Sequence, residues 1–287
     1  MVRRAYELGL FLALALTCAA CKTKPKPRAV DSSAPLAARL APLAAESWLV
    51  DLEVPGFGRA KLAVPDAARE PRRIVIALHG VADRPEWACG AYRGIVGGKP
   101  FVLCPRGVQR KDLSASADRY SFGSGDDTAR ELRAALTALK NRYGAYVASG
   151  PVVLAGFEIG ADHAAQIALQ EPAFFSRLVL VGASKETWPS SAAALFGRQG
   201  GELALFAGGS ASKAELAWQA ELTTRGGARA HAVLLAAEPP DLGPDSVARL
   251  GQGLGLLEAS KSDLVRSGNQ TGNALPLGGP VLGRAKP

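Results

Sequence analysis

Two hydrophobic patterns alternate along this chain between Trp48 and Ala259. Short apolar runs come first. Arg73 to Leu78 (Arg-Ile-Val-Ile-Ala-Leu) and Phe101 to Cys104 are continuous and β-rich, ending in His79-Gly80 and in Pro105-Arg106-Gly107. Val152 to Ala155, Arg177 to Val181, Glu202 to Phe206 and Ala230 to Leu235 repeat the pattern. Upstream, Trp48 to Val54 alternates apolar and polar positions, and Arg59 to Val64 follows the turn Pro55-Gly56-Phe57-Gly58. Strands buried on both faces read as continuous apolar runs rather than as alternation. Between the runs the period changes. From Thr128 to Tyr143, Leu132, Leu136, Leu139 and Tyr143 fall on one helical face, and Thr128 with Glu131 fits a capping box. Ala161 to Leu169 and about Pro244 to Ala259 read as further helices. The alternation predicts a single α/β domain over residues 44–260, a mostly parallel sheet with helices on both faces. In such folds a site forms outside the carboxyl ends of the strands.

One junction carries candidate chemistry. Gly156-Phe157-Glu158-Ile159-Gly160 lies between a strand-like run and a helix-like run. It has the outline of a nucleophile elbow, Gly-x-Ser-x-Gly, with glutamate in place of serine. With the strand ending in His79-Gly80, the strand ending in Pro105-Arg106-Gly107 and three later strands, the order from Trp48 to Ala259 resembles an α/β-hydrolase of the carboxylesterase and small phospholipase kind. The resemblance implies an oxyanion region at His79, Gly80 and Val81, with a second backbone N–H from Ile159. It also implies an acid after the next-to-last strand and a histidine after the last.

Those positions hold other residues. Gly208-Gly209-Ser210-Ala211-Ser212 has no carboxylate, and Glu215 beyond it fits a capping box with Ser212. Glu238-Pro239-Pro240-Asp241 has no histidine. His231 near the start of its strand is expected about 25 Å from the rim, at about 3.3 Å per residue. His163 reads as a helix-surface or packing residue, and His79 as loop support. One expectation is therefore a hydrolase-like scaffold without hydrolase activity, whose cleft still takes a small acyl-type ligand. In it the Glu158 carboxylate folds onto the N–H groups of Ile159 and Val81. The alternative is an active esterase-like hydrolase with Glu158 and His79 in unconventional roles. A third is an envelope protein whose tail, not its cleft, contacts partners.

The ends of the chain change the picture. Arg3 and Arg4 precede an apolar run from about Leu8 to Leu16, then Thr17-Cys18-Ala19-Ala20-Cys21. The run is too short to span a bilayer, and its basic start and small-residue end suit a secretory signal over residues 1–20. It also resembles a bacterial lipoprotein signal, which implies a lipid on Cys21, a membrane anchor and a cell-envelope location. In a Gram-negative source that is the periplasmic face of the outer membrane. Plain secretion is the other reading, and Cys18 is lost in either. Residues 21–43, rich in Lys, Pro, Ala and Ser, read as a tether, and 261–287, rich in Gly, Asn and Pro, as a disordered tail. Cys89 and Cys104 remain, and an oxidising compartment predicts their disulfide, worth about 3 kcal/mol in the chain-entropy model. Two separate buried thiols are the alternative.

Net charge is +8 at 34 Lys and Arg against 26 Asp and Glu. The cations are scattered apart from Lys22 to Arg28, and no aromatic-basic interleaving suggests nucleic acid. A basic tether beside anionic lipid accounts for that run. No Cys-x-x-Cys pair exists and the three histidines are far apart, so neither a metal nor a cofactor is expected.

Overall fold

The computed structural model describes residues 40–236 and 241–258. The segments read as signal and tail, most of the tether, and Glu238 to Pro240 lie outside the described residues. The described chain begins docked. Leu40 N–H donates to Arg69 O at 3.2 Å, Leu43 N–H to Ala68 O at 2.8 Å, and Leu43 is buried. The last residues of the stretch read as tether therefore pack on the domain.

In chain order the elements are β1 (Leu49–Leu52), β2 (Ala60–Ala63), β3 (Ile74–Leu78), α1 (Pro85–Val96), β4 (Phe101–Cys104), β5 (Val108–Gln109) and β6 (Tyr120–Ser121). Then come α2 (Gly125–Tyr143), β7 (Val153–Phe157), α3 (Ile159–Gln170), β8 (Arg177–Val181), α4 (Ser190–Arg198), β9 (Leu203–Gly208), α5 (Lys213–Arg225), β10 (Arg229–Leu234) and α6 (Pro244–Glu258). Among the described residues, eight strands form one sheet in the order β1-β2-β4-β3-β7-β8-β9-β10. The β1–β2 and β2–β4 pairings are antiparallel and the rest are parallel. β5 and β6 form a separate antiparallel hairpin. The predicted α/β architecture stands.

Period-2 alternation divides the core. Ile74, Ile76 and Leu78 of β3 join Leu154, Leu178 and Phe206 on the face covered by α2, α3, α4 and α5. Val75 and Ala77 join Val153, Val179 and Leu205 on the face covered by α1 and α6. A strand's successive side chains point to opposite faces, so one apolar run feeds two cores. Cys89 of α1 and Cys104 of β4 form the disulfide, with Cα atoms 5.8 Å apart. It pins the first helix to the sheet.

Two expected capping boxes do not form. α2 starts earlier than its pattern suggests: Ser124 is the N-cap, and its Oγ accepts from Asp127 N–H at 3.2 Å. Thr128 then lies inside the helix, its hydroxyl donating to Ser124 O at 2.9 Å. Glu131, moved into the second turn, faces the protein rather than the helix end. At α5, Ser212 makes no side-chain cap. Its hydroxyl donates to Gly209 O at 2.9 Å, which leaves Glu215 without that role.

Candidate functional site

The carboxyl ends of β7, β8 and β9 meet the amino ends of α3 and α5 at one rim. β7 passes into α3 through Glu158, whose φ of 50° and ψ of −121° are rare for a residue with a side chain. Such a conformation costs about 1–3 kcal/mol and persists only where its surroundings fix it. Here they do. Glu158 N–H donates to Val181 O at the end of β8, 2.8 Å away, and Glu158 O accepts from Ala161 N–H at 2.8 Å and Asp162 N–H at 3.1 Å. The flanking glycines let the turn close on itself. A Cβ on Gly156 would sit 2.2 Å from Gly160 O, and one on Gly160 would sit 2.5 Å from His79 O. The strand, sharp turn and helix predicted around this motif are therefore present.

The Glu158 side chain projects from the turn. One carboxylate oxygen, Oε2, lies 2.7 Å from where a Cβ on Gly80 would stand, so it leans over the loop that leaves β3. The expected fold-back onto backbone donors does not occur. Glu158 makes no side-chain cap on α3, and its carboxylate has no hydrogen bond or ion pair among the described residues. Fixed by two strand ends and a helix turn, the backbone aims the side chain outward. Asp162, one turn along, is occupied: Oδ1 accepts from Ser184 N–H at 2.8 Å and from the Thr187 hydroxyl at 2.7 Å.

The loop that resembles an oxyanion region is braced from behind. His79 is fully buried. Its Nδ1 lies 2.8 Å from Gly80 O and its Nε2 2.9 Å from Arg106 O, and the ring stacks on Phe122 with centroids 4.5 Å apart. Both nitrogens face carbonyl oxygens, so neither offers a free lone pair to the cleft. Next along, Val81 is exposed, and Ala82 takes a φ of 51° with its N–H donating to Ser121 Oγ at 3.0 Å. Asp83 pairs with Tyr120 of β6 in both directions, at 3.1 and 3.0 Å. Ser121 was not foreseen in this role; β5 and β6 are too short to leave a hydrophobic period.

Behind His79 lies a carboxylate the sequence did not single out for this site. Glu131 accepts Arg106 N–H at 2.9 Å and Gly107 N–H at 3.0 Å through Oε1. Burial pushes its carboxyl above the usual range, while the N–H groups of Gly107 and Arg106, and His79, pull the other way. His79 and Glu131 therefore hold the peptide around Arg106 from its two sides.

The other histidines lie elsewhere. His163 is buried on α3, edge-on to Phe122 at 6.0 Å, with Nδ1 lacking any partner. Burial pushes its imidazole below the usual range, against the opposing pull of Asp162. His231 is paired with Leu205 in β10 and packs near Gly253 of α6. β10 ends at Leu234, so His231 lies about 10 Å from the strand's end, nearer than the 25 Å expected. Asp241, in the segment where the resemblance places a base, accepts from Gly243 N–H and Ser246 Oγ, each at 3.0 Å.

Glu158 opens into a cavity of about 360 Å³ over the ends of β8 and β9. Ala183, Gly209, Ser212, Glu215 and Gln219 are among its walls. A second cavity, of about 400 Å³, lies between α1 and α6 beside Arg72, Lys99 and Leu254. It opens near the amino ends of β3 and β7, the end of a parallel sheet that sites do not use.

No protein-family model matches the chain, and no curated protein matches it. Solved structures do. TT1662 from Thermus thermophilus superposes with a TM-score of 0.53 at 16% identity, covering 74% of this chain and 98% of that one. The Bacillus cereus carboxylesterase gives 0.50 at 15%, covering 71% and 96%. An esterase from Rhizomucor miehei gives 0.50 at 13%, covering 80% and 87%. Identities this low speak to architecture and not to activity. On strand order, elbow geometry and these superpositions, the domain has the α/β-hydrolase fold.

Proposed function

We propose that this chain is a cell-envelope binding protein that retains the α/β-hydrolase scaffold and does not hydrolyse esters. One observation carries the reading: among the described residues, no histidine lines the cavity at residue 158. Hydrolysis on this fold, by a serine or by a carboxylate, requires a histidine to move a proton. The sequence holds three. His79 has both nitrogens against carbonyl oxygens. His163 is buried on α3 beside Phe122. His231 is exposed on β10, three residues short of the strand's end and outside the walls of the cavity. The segment Ala237-Glu238-Pro239-Pro240 contains none, whatever its placement. Direct attack by Glu158 is disfavoured too. Glutamate is one methylene longer than the aspartate some α/β-hydrolases use, and a misplacement of about 1 Å costs about a hundredfold.

A panel of short acyl nitrophenyl esters tests the reading. Wild type and Glu158→Ser are both expected at background, because a hydroxyl alone has no base. Turnover by wild type that disappears in Glu158→Ala overturns the reading in favour of an active hydrolase. The envelope location rests on the signal-like segment and Cys21. Incorporation of labelled fatty acid in the producing cell, lost in Cys21→Ser, is the expected result; labelling that survives the substitution removes the anchor.

A further inference from the structure

We propose that the elbow cleft binds a small organic cation, a protonated amine or guanidinium, between Glu158 and Glu215. This deepens the non-catalytic reading and rests on it for a cleft that holds its ligand unchanged.

Charge is the first ground. Glu158 and Glu215 line the same cavity, and its walls include no lysine or arginine among the described residues. Neither carboxylate has an ion-pair or hydrogen-bond partner among the described residues. Several exposed acids elsewhere pair with cations: Lys61 meets Asp51 at 2.7 Å, and Arg93 meets Asp66 at 2.7 Å. A cation entering this cavity meets two half-buried acids and no like charge among its described walls.

Gln219 is the second ground, independent of the first. It is more than nine-tenths buried, at 6% exposure, and forms part of the same wall. Its backbone carbonyl accepts from Thr223, but its side-chain amide has no hydrogen-bond partner among the described residues. The residue is packed in place while its amide stays open to the cavity, so a polar ligand can bond it without first breaking a bond within the chain. On α5, Ser212, Glu215, Leu216 and Gln219 recur at helical spacing, so one face supplies charge, apolar contact and an amide. A wall with one carboxylate from the elbow turn and one from α5, an amide and Leu216 suits an ammonium or guanidinium on a short apolar stem. A carboxylate ligand would face two like charges. The volume of about 360 Å³ falls at the lower end of small-molecule sites.

The test uses three probes of one shape: butylammonium, butanol and butanoate. Binding to the full chain is followed by ligand-observed saturation-transfer NMR. Butylammonium is expected to bind best, to lose about tenfold in affinity in Glu158→Gln and in Glu215→Gln, and to weaken with added salt. Gln219→Leu should weaken it less. Equal binding of the three probes, or ammonium affinity unchanged in both glutamine variants, overturns the proposal. Should a variant fail to fold, the order among the probes on wild type still decides. Ester turnover on the same preparations separates the two readings. Turnover dependent on Glu158 sinks the non-catalytic reading even if the amine binds; no turnover and no preference for the cation sinks this inference alone.

Discussion

Glu131 holds the loop after β4 and Glu158 leans over the neighbouring loop after β3, and their surroundings differ completely. Glu131 is buried and holds two backbone N–H groups, with His79 bonded to the carbonyl of the same residue, Arg106. The carboxylate and the imidazole there both have partners within the chain. Glu158 stands half-exposed over a cavity, on a strained backbone, with no partner for its carboxylate. The contrast separates structural polar groups from those left over for something outside the chain. A buried carboxylate with complementary donors stabilises a loop. A carboxylate presented at a cleft and left unpaired on a strained backbone contributes no bond that offsets that strain.

The comparison breaks most severely where the two regions touch. Gly156→Ala drives a Cβ into Gly160 O at 2.2 Å and pries the elbow open. Backbone cannot yield as a side chain does, so a loss above about 3 kcal/mol is expected. Denaturant unfolding checks it, and a midpoint close to wild type would show that the elbow has slack.

Next in size is the contrast itself. Glu131→Ala strands two N–H groups under the loop and should lower stability by about 2–3 kcal/mol. Glu158→Ala removes no partner, so a change below about 0.5 kcal/mol is expected in the same unfolding assay. Similar losses in the two variants would erase the distinction.

A smaller effect sharpens it. Glu158→Gly relieves a non-glycine residue at a φ of 50° and should raise stability by about 1 kcal/mol. A stabilised variant that no longer binds butylammonium would show strain kept for the cleft's sake; a destabilised one would show that the side chain supports the fold.

The smallest effects are slopes with pH, from groups in the closed region. His163 has a depressed pKa through burial. Its neutral form suits the fold, so stability is full above the unfolded value near 6.5 and falls as pH drops through the window below it. Glu131 has a raised pKa, so its contribution is full below about 4.5 and is lost as pH rises through the folded value. His163→Gln should flatten the first slope and Glu131→Gln the second, read from denaturation midpoints across pH. Glutamine retains an acceptor for the Arg106 and Gly107 N–H groups, which separates charge from hydrogen bonding.

Much of the fold is legible in the sequence. The runs at Ile74 to Leu78, Phe101 to Cys104 and Arg177 to Val181 became β3, β4 and β8, because a strand buried on both faces leaves little freedom in composition. The glycines at 156 and 160 announced the elbow because nothing larger fits. The signals that misled were short and local. Thr128 with Glu131, and Ser212 with Glu215, each match a capping box, yet tertiary packing set where the helices begin. α1 left little pattern, with Gly90 and Gly94 interrupting its apolar face, although Ala88, Cys89, Tyr92 and Ile95 are buried.

The sequence by itself determined which chemistries are on hand: a glutamate in the elbow, three histidines in all, no carboxylate immediately after β9, and an order of strands that admits one architecture. Only the tertiary structure decided which polar groups are already spoken for. The donors that hold Glu131 lie 24 and 25 residues away in sequence, and the carboxylate that shares a cavity with Glu158 lies on α5, two strands further along the chain. Partnership between polar groups depends on distance and direction in space, and residue order fixes neither.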